Sequence, residues 1–444
     1  MNIVQRLAER FWFVPAALCA VAVLVAETLI TVDEGTSELD VPGWMSRLFY
    51  RVGESGSRDL LGAIATSSLA VAGTTFSITI AVLALTSSTY GPRLVRNFMA
   101  DRGNQLVLGV YVATFLYSLL VLRSIRAIGA APTDPEVFVP HLAVNVAVLL
   151  ALANVGVLVY FIHHISDSIQ IATLAAGVRA DLRATVDRLY PEGVGHAEPR
   201  DGCPALPEVL LRDGAPITAG SSGYVQFIRD EALMKAARTH DVVLAMQVRP
   251  GEYVLADTTV ARVHPPDRCG EDLERAVRRA LKVTDARTPF QDVEFAVQQL
   301  TEIAVRALSP GTNDPYTAVN ALDDLSVGLT LLASRPMPSP ARVDDHGALR
   351  VHAPMVHVST LVTSVLDTMR WYAPSAPLVM HHCLELAGRV GSRSRHPDLA
   401  AVLVTHVDLL RGAFARASHA AHDDRLFNDH ADQVTRDIQA HADA

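Results

Sequence analysis

Lysine is nearly missing from this 444-residue chain: Lys235 and Lys282 are the only two, and arginine carries the rest of the basic charge. Acidic residues outnumber basic ones by 47 to 38, for a formal net charge of −9, which speaks against a nucleic-acid footprint. The scarcity of lysine, with abundant Ala and Val, matches the composition of a GC-rich bacterial genome. Cysteine is scarce as well. Cys19, Cys203, Cys269 and Cys383 stand far apart with no Cys-x-x-Cys, which argues against a disulfide scaffold and a zinc knuckle. The chain also lacks a Gly-x-x-x-x-Gly-Lys phosphate loop, a His-Glu-x-x-His pair and a Gly-x-Ser-x-Gly elbow. Gly220-Ser221-Ser222-Gly223 has the wrong spacing for the last of these and marks a strand bend. No nucleophile–base constellation is left to sustain an enzyme, and no cofactor or metal is expected.

Hydrophobic residues are plentiful. They make up 50% of the chain, and the excess sits in its first third. A bilayer crossing needs about 20 apolar residues, and four stretches qualify, near 11–31, 60–89, 105–122 and 137–165. Arg6 and Arg10 precede the first, as in a signal peptide, but no small-residue cleavage site follows, so it reads as a retained helix. Glu27 near its far end is expected at the interface. The segment 41–50, with Trp44 and Phe49, suits an interfacial helix. An even number of spans puts both termini on one side, and a modest arginine bias makes that side cytoplasmic. The acidic loop DEGTSELD, with Asp33, Glu34, Glu38 and Asp40, then lies outside, either simply solvated or concentrating cations.

The second span stands apart. From Leu60 to Thr89 it carries no charge but eleven hydroxyls, and at about 100° per residue Ser68, Thr75, Thr79 and Thr86 fall almost on one line. Lipid gives a hydroxyl no partner, so such a row faces another helix or water. Two readings stay open. The hydroxyls bond their own backbone and pack against neighbouring helices, or they line a pore.

Beyond 165 the character is soluble. Ser168–Tyr190 has helical periodicity and reads as a stalk continuing the fourth span, closed by a Gly- and Pro-rich linker over 191–207. Ile217–Phe227, Val242–Val248 and Tyr253–Val263 read as strands of a small barrel or sandwich, with a helix over Asp230–Thr239. Gly270–Val283 reads as an amphipathic helix, and Thr288-Pro289-Phe290-Gln291 as a capping box opening the next. In the turn Ser309-Pro310-Gly311-Thr312-Asn313, Asp314 is the expected N-cap and Pro315 the first helical residue. The amides there can hold an anion or be filled by Asp314 itself. A short strand is expected near Leu349–Val351, and the remainder is helical. The pairs His163–His164 and Glu294/Glu302, and the run His381–His382–Cys383, have ligand-type or catalytic chemistry but spacings better suited to helix surface and core.

The stretch RALSPGTNDPYTAV, preceded by TPFQDVEFAVQQL, together with YGPRLVRNFMADRGNQLVLGVYVATFLYSLLVLRSIR, resembles a bacterial family of predicted membrane proteins, domain of unknown function 2254. Thr312 stands where an aliphatic residue is usual. The resemblance covers most of the chain. It implies an N-terminal membrane domain and a cytoplasmic C-terminal domain, and brings no reaction with it.

The fold expected is therefore an α-helical multipass membrane domain of four spans followed by a soluble α+β domain. Its parts are a transmembrane domain over 1–165, a stalk and linker over 166–207, a small β-rich module over 208–265 and a mainly helical cytoplasmic domain over 266–444. The leading functional expectation is an oligomeric ion channel or channel-like transporter in the bacterial inner membrane. Copies of the second helix would surround a shared axis, with an inorganic cation as permeant and the cytoplasmic domain assembling or gating the ring. The competing expectation is a membrane-anchored sensor or scaffold whose soluble domain binds a ligand or partner.

Overall fold

The computed structural model describes residues 12–36, 53–90, 101–125, 138–168, 170–190 and 212–443, the side chains of 36, 86–90, 168, 171 and 172 excepted. The expected interfacial helix at 41–50, the arginines of 91–100, Glu38, Asp40 and the linker at 191–207 lie outside the described residues. The chain divides into two compact units, Met1–Leu174 and Ala175–Ala444.

Among the described residues the first unit contains four helices long and apolar enough to cross a bilayer, as expected. They are α1 (Phe13–Thr36), α2 (Glu54–Tyr90), α3 (Arg102–Ser124) and α4 (His141–Ser168). The 37 residues of α2 measure about 55 Å at 1.5 Å each, well beyond a hydrocarbon core of about 30 Å. Its first turns therefore carry Glu54, Arg58 and Asp59 clear of lipid. Helix α3 packs against the other three. Gly109 lets α1 approach, since a Cβ there would sit 2.7 Å from Leu18 Cδ1 and 3.0 Å from Pro15 Cα. Helix ends are closed by side chains of opposite sign to the local dipole. Asp33, in the last turn of α1, accepts from the Leu142 and Ala143 amides at the start of α4 (3.2 and 3.0 Å). Arg58 donates to the Ile125 carbonyl at the end of α3 (2.8 Å). At the opposite end Asp101 caps α3 through the Gly103 amide (2.7 Å) and meets His164 Nε2 of α4 (2.6 Å).

The boundary between the units falls in α5 (Ile171–Leu189), a helix separate from α4 whose greater part opens the second unit. The periodicity read along the stalk is present, but the stripe Val178, Leu182, Val186 is buried. This helix lies against α9 (Pro315–Ala333). Arg179 pairs with Asp324, and Gly328 leaves room for Leu182, whose Cδ2 would stand 2.2 Å from a Cβ there. Arg335 reaches back to the Val186 and Tyr190 carbonyls (3.3 and 2.6 Å) and closes the helix end.

Next come β1 (Ala215–Thr218), β2 (Gly223–Ile228), α6 (Asp230–His240), β3 (Val243–Met246), β4 (Tyr253–Val254), β5 (Thr259–His264), α7 (Glu271–Ala280) and β6 (Leu281–Thr284). The hairpin β7 (Ala341–Val343) and β8 (Leu349–His352) follows later. The strands form two sheets, β1-β5-β3-β8-β7 and β4-β2-β6. Four expectations are corrected, and the first is the strand read over Tyr253–Val263, which is β4 and β5 in different sheets. The run 217–227 is two strands in different sheets, because Gly220 and Gly223 take φ of +74° and +148° and turn the chain between them. The helix expected to reach Val283 ends at Ala280, and the β-branched and apolar residues after it pair with β2 as β6. The expected capping box is displaced. Gln291 pairs with both backbone groups of Ile228 at the end of β2 (2.8 and 3.2 Å), so Asp292 caps α8 (Val293–Ala307) through the Phe295 amide (3.0 Å).

Of the remaining helices, α10 (Val358–Tyr372) and α11 (Pro377–Gly391) pack with α8 and α9, and α12 (Leu399–Arg416) and α13 (Ala421–Ala442) pack with α10 and α11. The rings of Phe414 and Phe427 stack at 4.1 Å in their core, an arrangement worth about 0.5–1.5 kcal/mol beyond area burial.

Candidate functional site

The hydroxyl row of α2 lies against α3 and α4 of the same protomer. Ser68, Thr75 and Thr79 are only 4%, 3% and 6% exposed; the side chain of Thr86 is outside the described residues. The exposed sides of the helix mix Leu69, Phe76, Ile78, Ile80 and Leu85 with Thr66, Ser67, Thr74 and Ser77. Each threonine hydroxyl spends its proton on its own helix. Thr75 Oγ1 donates to the Ala72 carbonyl (2.9 Å) and Thr79 Oγ1 to the Thr75 carbonyl (2.8 Å). The off-row Ser67, Thr74 and Ser77 do likewise.

The packing partners are polar in their turn. Asn154 of α4 donates through Nδ2 to Ser68 Oγ (3.3 Å), and its Oδ1 lies 3.4 Å from Thr114 Oγ1 of α3. Tyr111 donates to the Asn154 carbonyl (2.6 Å), and Tyr117 to that of Ala143 (2.9 Å). These four side chains tie three helices together, and the sequence reading missed all of them. A single carboxamide in the apolar run around Asn154 was the available signal, because lipid would leave it unserved. Farther along, Thr75, Phe76, Thr79, Asn104, Val107, Leu108 and Phe161 line a cavity with room for about one water molecule. Asn104 is 3% exposed, and neither Oδ1 nor Nδ2 has a protein partner.

Of the acidic loop, Asp33 and Glu34 belong to the last turn of α1. The Asp33 carboxylate is engaged at the start of α4, and Glu34 is exposed. His164 stacks on Tyr160 (centroids 5.3 Å) beside Asp101, and His163 lies 3.3 Å from Asp167.

In the second unit the turn before α9 is built as expected. Ser309 accepts from the amides of Thr312 and Asn313 (3.0 and 2.9 Å), and Asn313 takes a left-handed φ of +45°. Asp314 fills the amides of the helix start, bonding the Thr317 amide (3.1 Å) and hydroxyl (2.6 Å), with Pro315 following. Those two bonds hold its carboxyl below the usual carboxylate range. The anion position is thus occupied by the chain itself. Pro310, Gly311 and Asn313 are exposed, as is Tyr316 at 72%. Glu302 accepts from Gln298 (3.0 Å). His381 Nδ1 faces His430 Nδ1 at 2.9 Å, and burial pushes the Cys383 thiol up to about 12. Among the described residues no group of three His, Cys, Asp or Glu is arranged to hold a metal.

Residues 8–388 match the family described as Predicted membrane protein (DUF2254). An uncharacterized protein of Mycobacterium bovis and one of Mycobacterium tuberculosis are each 31% identical to this chain over 378 residues, covering 84% of it and 71% of their own length. No solved structure matches. The chain belongs to the DUF2254 family of predicted membrane proteins.

Proposed function

We propose that this membrane protein is a membrane-anchored sensor or scaffold. Four helices hold it in the bacterial inner membrane with both termini cytoplasmic, and the second unit binds a ligand or partner. One observation carries the reading: the hydroxyl row points into its own protomer, with the Thr75 and Thr79 protons satisfied by the backbone, and the exposed hydroxyls of Thr74 and Ser77 are bonded to their own helix as well. Hydroxyls served by their own backbone can lie in lipid without a water-filled axis, which suits an anchor. The exposed turn around Pro310 and Gly311, pre-ordered by its own hydrogen bonds and flanked by Tyr316, is the contact surface of this reading.

A second reading, conduction of a cation, is favoured by the polar interior of the first unit. Any path would then run inside one protomer, past Ser68, Asn154 and Thr114, and a ring of copies would serve assembly alone. Ion flux through liposomes containing the full chain separates the two. The anchor reading expects Na+, K+ and Cl− to leak no faster than from empty vesicles, while a photo-crosslinker at Thr312 captures a partner in cells. Sustained flux altered by Thr75→Val overturns it.

A further inference from the structure

We propose that the cavity between α2, α3 and α4 is a binding site for one alkali-metal cation of about Na+ size. The inference is independent of the anchor reading, since an anchor can carry a bound ion.

Its basis is the direction of the hydroxyl protons. A threonine has one proton to give and two lone pairs to offer. Thr75 and Thr79 both give theirs to backbone carbonyls of α2, so what they turn toward the cavity is lone pairs. The third polar group is Asn104. It is 97% buried by its 3% exposure, lines the cavity, and has no partner for either end of its carboxamide. Buried polar side chains are almost always served, and here an occupant is what would serve one. The carboxamide can turn Oδ1 inward, because its two ends are nearly the same shape. Thr75 Oγ1, Thr79 Oγ1 and Asn104 Oδ1 then make three neutral oxygen donors.

The chemistry of this set selects the ligand. Hard, neutral oxygens suit an alkali cation. No carboxylate lines the cavity, as Ca2+ would require, and no imidazole or thiolate, as a transition metal would. Space for about one water molecule matches one dehydrated small ion. The walls supplied by Phe76, Val107, Leu108 and Phe161 keep the local dielectric low, which strengthens each ion–oxygen contact. Asn104 lies in the first turn of α3, whose amide dipoles oppose a cation, but Asp101 caps that end with a carboxylate one turn away and offsets them.

The test uses the full chain in lipid nanodiscs, with NaCl, KCl or N-methyl-D-glucamine chloride at matched ionic strength. Thermal unfolding and retention of radioactive 22Na+ are read together. The site predicts a midpoint that rises with Na+ and not with N-methyl-D-glucamine, and about one Na+ retained per chain. In Asn104→Leu the half-saturating Na+ concentration rises at least tenfold, while the midpoint without Na+ stays equal or increases. Thr79→Val provides a second variant if Asn104→Leu does not fold, with the same weakening expected. Wild-type midpoints that are identical in all three salts, or no retained 22Na+, mean that the cavity holds water alone and overturn the proposal.

Discussion

Asn154 and Ser68 lie 86 residues apart in the chain, yet Asn154 Nδ2 donates to Ser68 Oγ at 3.3 Å in the interior of the membrane unit. This bond ties the hydroxyl row of α2 to α4. Coupling between such groups in membrane proteins averages about 0.6 kcal/mol. A double-mutant cycle of Ser68→Ala and Asn154→Leu should return a value of that order in detergent unfolding. Additive effects would mean that the two side chains do not meet.

The crossing of α1 and α3 depends on Gly109. A Cβ there would press on Leu18 Cδ1 and on the Pro15 backbone, and the backbone cannot move aside cheaply. Gly109→Val should cost about 1–3 kcal/mol as overpacking and loosen α1 from the bundle. Unfolding of the variant in detergent reads the loss. Gly62→Ala, with open space around it, should change nothing.

Acid should weaken the second unit in a defined window. Arg350 and the His346 and Ala348 amides bond the Asp344 carboxylate and hold its pKa at about 2, below the ordinary 3.8. A folded value below the unfolded one means stability is fully present above about pH 4 and lost as pH falls toward 2. Asp314, also held down, adds to the same slope. Titrating the unfolding midpoint of wild type against Asp344→Asn checks this. The variant should show a shallower loss over that interval, and an unchanged slope counts against the Asp344 pairing.

The Asp314 cap has a cost of its own. Asp314→Ala should destabilise α9 by about 1 kcal/mol at neutral pH, whereas Asp314→Asn retains most of the cap. Hydrogen exchange at the Thr317 amide reports the first turn opening. Equal protection in Asp314→Ala would remove the carboxylate from the role given to it here.

Arg335 should be the most sensitive position in the joint between α5 and α9. It is 6% exposed and serves the Val186 and Tyr190 carbonyls together with the Asp187 carboxylate. Arg335→Leu removes this donor from the Tyr190 carbonyl, the Val186 carbonyl keeping the Tyr190 amide, and should cost about 1–3 kcal/mol. Arg335→Lys should recover little, because a single ammonium cannot span the separate carbonyls. Chemical unfolding of the full chain reads both.

The four spans were legible in sequence because an uncharged run of about 20 apolar residues has no other stable place to go. The turn at Ser309–Pro315 was legible for a different reason: Asp314 and Pro315 act on amides within three residues, so the instruction and its effect are local. The same locality misled at Thr288–Gln291. There a distant strand end, Ile228, claimed Gln291 and passed the capping role to Asp292. Strand β6 was hidden because four residues become a strand only when β2 lies alongside.

What the chain order determined is the existence of a hydroxyl row on α2, since helical pitch alone puts Ser68, Thr75 and Thr79 on one line. What it left open was the direction of that row. Pitch defines a stripe but names no neighbour, and the groups that meet it, Asn154 at Ser68 and Thr114 behind Asn154, come from other helices. Only the packed bundle could turn that row inward, because Thr75 and Thr79 bond their own backbone and so name no direction, while the group that meets Ser68 belongs to another helix.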